Sequence, residues 1–138
     1  MSPESVGMTS RVVARGLMIC RLSGPLYYHN AERLIDELTS VVRSGSSVRW
    51  LVLRFDSVGD VDCVGAKMLM ELLDRMQQRG TTLVFTELST KVRNILSDLG
   101  VLAAIGSDKD FPSVKAAHTA YRQLKRVSHN RFASPGQA

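Results

Sequence analysis

Apolar and polar positions follow two rhythms along this chain, and the changes of rhythm divide it into elements. Trp50-Leu51-Val52-Leu53 is a short continuous apolar run, followed by a polar link from Arg54 to Asp60. Val61 to Ala66 then leads without a break into a segment where Val64, Met68, Leu69, Leu72, Leu73 and Met76 recur three and four apart. That spacing places them on one helical face, with Lys67, Glu71, Asp74, Arg75 and Gln78 on the other. Lys67 with Glu71 and Glu71 with Arg75 are i,i+4 pairs of opposite charge, worth a few tenths of a kcal/mol each. Asp62 has the side chain of an N-cap, and Gly80 is the residue that ends a helix. Gly65, inside the first turn, costs roughly 1 kcal/mol relative to alanine. Its presence implies close approach of another backbone, from this chain or from a partner. Strand, acidic turn and helix make half of a βαβ unit, in which the functional site tends to lie at the carboxyl end of the strand. Asp62 to Ala66 is therefore the first candidate for a functional surface.

The same rhythms order the rest. Met1 to Ser10 is small, polar and Pro-containing, and reads as a flexible lead-in. Val12 to Ala14 reads as a short edge strand. Leu17 to Leu22 reads as a strand with Leu17 and Ile19 on one face and Met18, Cys20 and Leu22 on the other. Apolar residues on both sides imply a strand covered on both faces. After Ser23-Gly24-Pro25, Asn30 is a credible cap for a helix from Ala31 to about Arg43, with Leu34, Ile35, Leu38, Val41 and Val42 as its stripe. Thr81 to Thr86 is a buried strand by composition. Ser89 caps a helix with Val92, Ile95, Leu96 and Leu99 inward, closed by Gly100. Val101 to Gly106 reads as an irregular connection and Lys109 to Phe111 as a last short strand. Ser113 caps a final helix with Val114, Ala117, Tyr121 and Leu124 inward. From Ser128 onward no periodicity survives, so 128–138 is expected to be a disordered basic tail. Alternating strands and helices with long connections predict an α/β fold, a small mixed but mostly parallel sheet with about four helices.

Length and composition narrow the function classes. The 138 residues make one domain, and no apolar run approaches the ~18 needed to cross a bilayer. A cytoplasmic location is expected, and Cys20 and Cys63, far apart without metal-type spacing, suit a reducing compartment. The net charge of +5 comes from five cations after Asp110. Up to Asp110, thirteen basic residues balance thirteen acidic ones, so no field steers nucleic acid to the domain. No phosphate-binding glycine loop, metal-type His/Cys cluster or nucleophile elbow is present. Asp56, Asp60 and Asp62 share one link and could offer oxygen ligands to a divalent cation. Capping and loop polarity account for them better, and no cofactor or metal is expected. Cys63 reads as a small packing residue at a helix start. Histidines 29, 118 and 129 are scattered and read as ordinary.

The stretch Val61-Asp62-Cys63-Val64-Gly65-Ala66, between a strand and an amphipathic helix, resembles the signature of STAS domains. These are shared by anti-sigma-factor antagonists and the cytoplasmic ends of SulP-type sulfate/anion transporters. The run Gly24-Pro25-Leu26-Tyr27-Tyr28-His29-Asn30-Ala31-Glu32-Arg33, the pair Asp56-Ser57 and the stretch Phe111-Pro112-Ser113-Val114 are similar to the transporter branch. The resemblance covers Val12 to Leu124, and the domain is expected to span 11–127. It implies a non-enzymatic regulatory domain that acts by binding.

In the antagonist branch a Ser or Thr directly before the glycine is phosphorylated, and the added charge breaks the partner contact. Here that position is Val64, which has no hydroxyl. The expected interaction turn is Asp62, Cys63, Val64 and Gly65, with Asp56 and Ser57 as secondary candidates. The expected partner is a transporter membrane domain or another cytosolic protein, with homodimerisation left open, no nucleic acid, and no phosphate cradle for strong nucleotide binding. The alternative is a free-standing antagonist-like protein without the usual phosphoswitch.

Overall fold

The computed structural model describes residues 7–44 and 47–133. Gly7–Ala14 (β1) and Leu17–Ser23 (β2) form a hairpin, and Ala31–Ser44 is α1. Trp50–Ser57 is β3, Cys63–Gln78 α2, Thr82–Thr86 β4, Thr90–Asp98 α3 and Val101–Ile105 α4. Asp110–Phe111 is β5 and Val114–Ala133 is α5. The sheet runs in the order β1-β2-β3-β4-β5. Only β1 is antiparallel to its neighbour, and the other three pairings are parallel. Each parallel step crosses through helix, as the geometry of parallel strands demands. The mixed, mostly parallel α/β architecture is the one the pattern predicts.

The pleat divides the apolar residues between two cores. Met18, Cys20 and Leu22, then Leu51, Leu53 and Phe55, then Leu83 and Phe85 face the layer formed by α1, α2, α3 and α4. Leu17, Ile19, Trp50, Val52 and Val84 face the other way, where α5 supplies Ala117 and Tyr121. Strands buried on both faces read as unbroken apolar runs. Each fully buried leucine, such as Leu53 or Leu69, contributes about 1.5–3 kcal/mol. Burial also pushes the Cys20 thiol up to about 12, which leaves it inert. On the α5 side the apolar cover is confined to the first half of β2 and β3. Beyond it that face carries Arg21, Arg54 and Asp56.

Tyr121 fastens α5 to the β1–β2 turn. Its ring meets Trp50 edge-on, centroids 5.3 Å apart, and its hydroxyl donates to the Arg15 carbonyl at 2.5 Å. A Cβ at Gly16 would lie 2.5 Å from that hydroxyl oxygen, and the φ of Gly16 is +80°. Both the turn and the tyrosine therefore require glycine there.

The structure departs from the sequence reading in several places. Gly7 to Ser10, read as lead-in, are paired with residues 20–23 of β2, because an edge strand is held by backbone hydrogen bonds without an apolar pattern. Half of the polar link after Leu53 continues β3 to Ser57. Val101–Ile105 is a short helix, so the described residues form five α-helices. Leu99 and Leu124, expected inward, are exposed. The backbone of Ser128–Ala133, expected to be disordered, continues α5, since a helix satisfies its own hydrogen bonds without an apolar stripe. The expectations for 1–6 and 134–138 lie outside the described residues. No helix among the described residues is long and apolar enough to cross a membrane.

Tyr121→Phe keeps the ring and removes the bond to Arg15. It should cost roughly 1 kcal/mol, read as a lower urea midpoint with unchanged slope. An unshifted midpoint would show that the bond contributes nothing net.

Candidate interaction surface at the start of helix α2

Two stretches from different parts of the chain meet at the carboxyl end of β3. Leu26 and Val61 form a parallel bridge. Leu26 donates to the Asp60 carbonyl at 3.0 Å and accepts from the Asp62 N–H at 3.1 Å. Leu26, Val58 and Val61 are buried beneath this crossing and anchor it to the core. Asp62 adopts the extended backbone of an N-cap, with φ −91° and ψ 179°. Its Oδ1 accepts from the Gly65 N–H at 2.7 Å, and its Oδ2 accepts from the Tyr28 N–H at 2.8 Å. One carboxylate thus caps α2 and holds the loop ahead of α1 against it.

Gly65 is buried, and a Cβ there would lie 2.2 Å from the Leu26 carbonyl oxygen and 3.0 Å from its carbon. The backbone it admits belongs to this chain, so Gly65 shapes the turn from beneath and leaves no room for a partner. Successive helical residues turn by roughly 100°. With Gly65 and Ala66 inward, Cys63 and Val64 point out. Val64, counted in the apolar stripe, is 42% exposed, and Cys63, read as packing, is exposed too. Tyr28 stands beside them, 71% exposed.

Sequence reasoning singled out Asp62, Cys63 and Val64 but missed Tyr28. The Tyr27-Tyr28 pair was visible, yet which ring turns outward depends on a partner 33 residues away: Tyr27 donates its hydroxyl to Asp60 Oδ2 at 2.7 Å.

The three aspartates do not converge. Asp60 also accepts from the Val61 N–H at 2.9 Å and lies 3.7 Å from Lys91 Nζ. The Tyr27 hydroxyl, above all, holds its carboxyl below the ordinary aspartate value, with the Val61 N–H and Lys91 adding to the effect. Asp56 turns to the opposite face, with Oδ2 3.3 Å from Arg21 Nη2 and 3.1 Å from Arg54 Nη2. Arg21 Nη2 also donates to Ser57 Oγ at 2.8 Å. The secondary candidates therefore belong to an arginine network apart from the α2 turn. Among the described residues no group of His, Cys, Asp and Glu is placed to hold a metal ion.

A capped turn at the carboxyl end of a central strand, on a mixed sheet with helices on both faces, defines a small α/β domain of mostly parallel topology. The family model for the STAS domain matches residues 9–117. The chain belongs to the STAS domain family. It is 29% identical over 109 residues to a probable sulfate transporter of Mycobacterium tuberculosis, an alignment that takes in 78% of this chain and 20% of the transporter. The chain thus spans about a fifth of the length of that curated relative. The crystal structure of a sulfate transporter family protein from Wolinella succinogenes superposes with a TM-score of 0.69 at 26% identity, covering 83% of this chain and 90% of that one. An anti-sigma factor antagonist from Mycobacterium paratuberculosis has the same fold, with a TM-score of 0.72 at 20% identity over 88% of this chain and 97% of its own.

In an open helix Gly65→Ala would stabilise by about 1 kcal/mol. Against the Leu26 carbonyl it should instead destabilise by about 2 kcal/mol or more, and chemical denaturation gives the sign directly. Asp60→Asn tests the second network. A carboxyl whose folded pKa is depressed adds stability above its unfolded pKa and loses it as pH falls through the folded one. The variant should therefore be less stable than the parent at neutral pH, with the gap closing as the solution is acidified below the aspartate range. A pH-independent gap would exclude the ionised carboxylate as its cause.

Proposed function

We propose that this STAS domain is a non-catalytic regulatory module that binds a protein partner through the start of α2. In this reading it works in the cytoplasm as part of a SulP-type sulfate or anion transporter, and its partner is the membrane domain or another cytosolic protein. The observation that carries it is the exposure of Val64, Cys63 and Tyr28 around a carboxylate that holds both of their segments. Exposed apolar side chains on a backbone already ordered lose little entropy on binding. The similarity to curated sulfate transporters supports the transporter branch. So does Val64 itself, because the residue before Gly65 offers no hydroxyl for a phosphoswitch. The second reading, a free-standing antagonist-like protein, draws on the shared fold alone.

Val64→Asp separates surface from core. The helix N-terminus favours the new charge by up to ~1 kcal/mol, and Val64 is exposed, so the thermal midpoint should hardly move. Affinity capture from the source cells, with proteins identified by mass, should recover a partner with the parent domain and lose it with the variant. Recovery of the same partner by both proteins, or unfolding of the variant, would remove the turn as the interaction site. A recovered transporter polypeptide supports the first reading, and a recovered anti-sigma factor the second.

A further inference from the structure

The half of the sheet that α5 leaves open carries a row of polar residues across four strands. Thr9 pairs with Arg21, Arg21 with Arg54, and Arg54 with Thr86. Arg11, on the same strand and face as Thr9, adds a third guanidinium. Thr9, Arg11, Ile19, Arg21 and Arg54 line a cavity of about 320 Å³ there.

Two like charges abreast on neighbouring strands destabilise a sheet unless an anion serves both. Asp56 is that anion, within 3.3 Å of Arg21 and 3.1 Å of Arg54. Glu87 lies 3.5 Å from the same Arg54 Nη2. Both carboxylates thus crowd one nitrogen of Arg54, while its buried Nε has no hydrogen-bond partner among the described residues. Its register partner Thr86, fully buried, leaves Oγ1 without a partner as well. These are the only two such buried side-chain atoms among the described residues, and they fall on adjacent positions of this row. A buried donor left unmade is costly. Arg11 makes no ion pair among the described residues, so three guanidiniums face two carboxylates and the cavity is net positive.

We propose that this cavity binds a tetrahedral oxyanion of sulfate or phosphate type. Guanidinium forks present paired N–H donors to such groups, and the charge assistance makes these bonds strong. An oxyanion with several acceptor oxygens can serve Arg11, Arg21 and Arg54 together, which a single shared carboxylate does not. The site lies on the sheet face away from α1 to α4, so its occupancy is independent of the partner proposed for the α2 turn. The same chemistry is offered by the free ion and by an anionic phosphomonoester headgroup.

The test uses the full chain, labelled for amide NMR. Sodium sulfate and sodium phosphate are titrated separately against sodium chloride matched in ionic strength, and vesicles of phosphatidic acid are tested by co-sedimentation. Saturable shifts at Thr9 to Arg11, Arg21 and Arg54 with sulfate or phosphate, absent with chloride, support a free-ion site. Co-sedimentation without response to either free ion supports the headgroup as source, provided the arginine variants abolish it. Arg11→Gln and Arg21→Gln replace exposed residues, and each should weaken binding at least about tenfold, the loss of one charge-assisted bond. The proposal is overturned if chloride reproduces the shifts, if both arginine variants bind undiminished, or if the shifts map to the cations of α5 instead.

Discussion

The carboxylate of Asp62 holds together the two parts of the chain that make the candidate surface. Through Oδ1 it caps α2, and through Oδ2 it grips the loop that leads into α1. A cap of this kind is worth about 1 kcal/mol, but its second bond gives it a wider effect. It brings residue 28 to residue 62, where Leu26 crosses Val61 and the missing side chain of Gly65 lets the Leu26 carbonyl settle against the helix. Carboxylate, bridge and glycine each presuppose the other two. The exposed side chains of Tyr28, Cys63 and Val64 take their positions from this arrangement.

The two faces of the sheet are used differently. Four helices cover one face of β2, β3 and β4, and α5 covers part of the other, fastened by Tyr121 to Trp50 and to the β1–β2 turn. Where α5 ends its cover, β2 and β3 change from apolar to charged residues on that face alone, while Leu22, Leu53 and Phe55 continue the core on the other. The domain therefore offers an apolar turn at one end of β3 and a cationic sheet surface behind it. The first suits contact with another protein and the second an anion, so the two proposed roles need not compete for the same residues.

Much of this was legible in the sequence. Apolar runs marked the internal strands, and three-four spacing marked α1, α2 and α3. Asp62, Ser89 and Ser113 announced their helices through their capping side chains. All of these depend on residues close together in sequence. The penalty for Gly65 within a helix also signalled a close approach before any backbone was seen. Where sequence reasoning failed, the deciding contact was remote or the segment was too short to show a period. Gly7 to Ser10 form a strand only because β2 is there to accept them, and Val101–Ile105 is helical without a pattern long enough to announce it.

The sequence by itself determined which residues could cap, turn, alternate and fill a core, because those properties belong to each side chain and its near neighbours. Only the tertiary structure decided that the space above Gly65 belongs to Leu26, that Val64 faces out of its stripe, and that Tyr27 rather than Tyr28 is drawn to Asp60. It also decided that Asp56 looks away from Asp62 toward two arginines on the far face. The physical reason is common to all four. Orientation and exposure are set by what packs opposite, and most of the opposing atoms (Leu26 for Gly65, Asp60 for Tyr27, Arg21 for Asp56) come from segments tens of residues away, which no local pattern encodes.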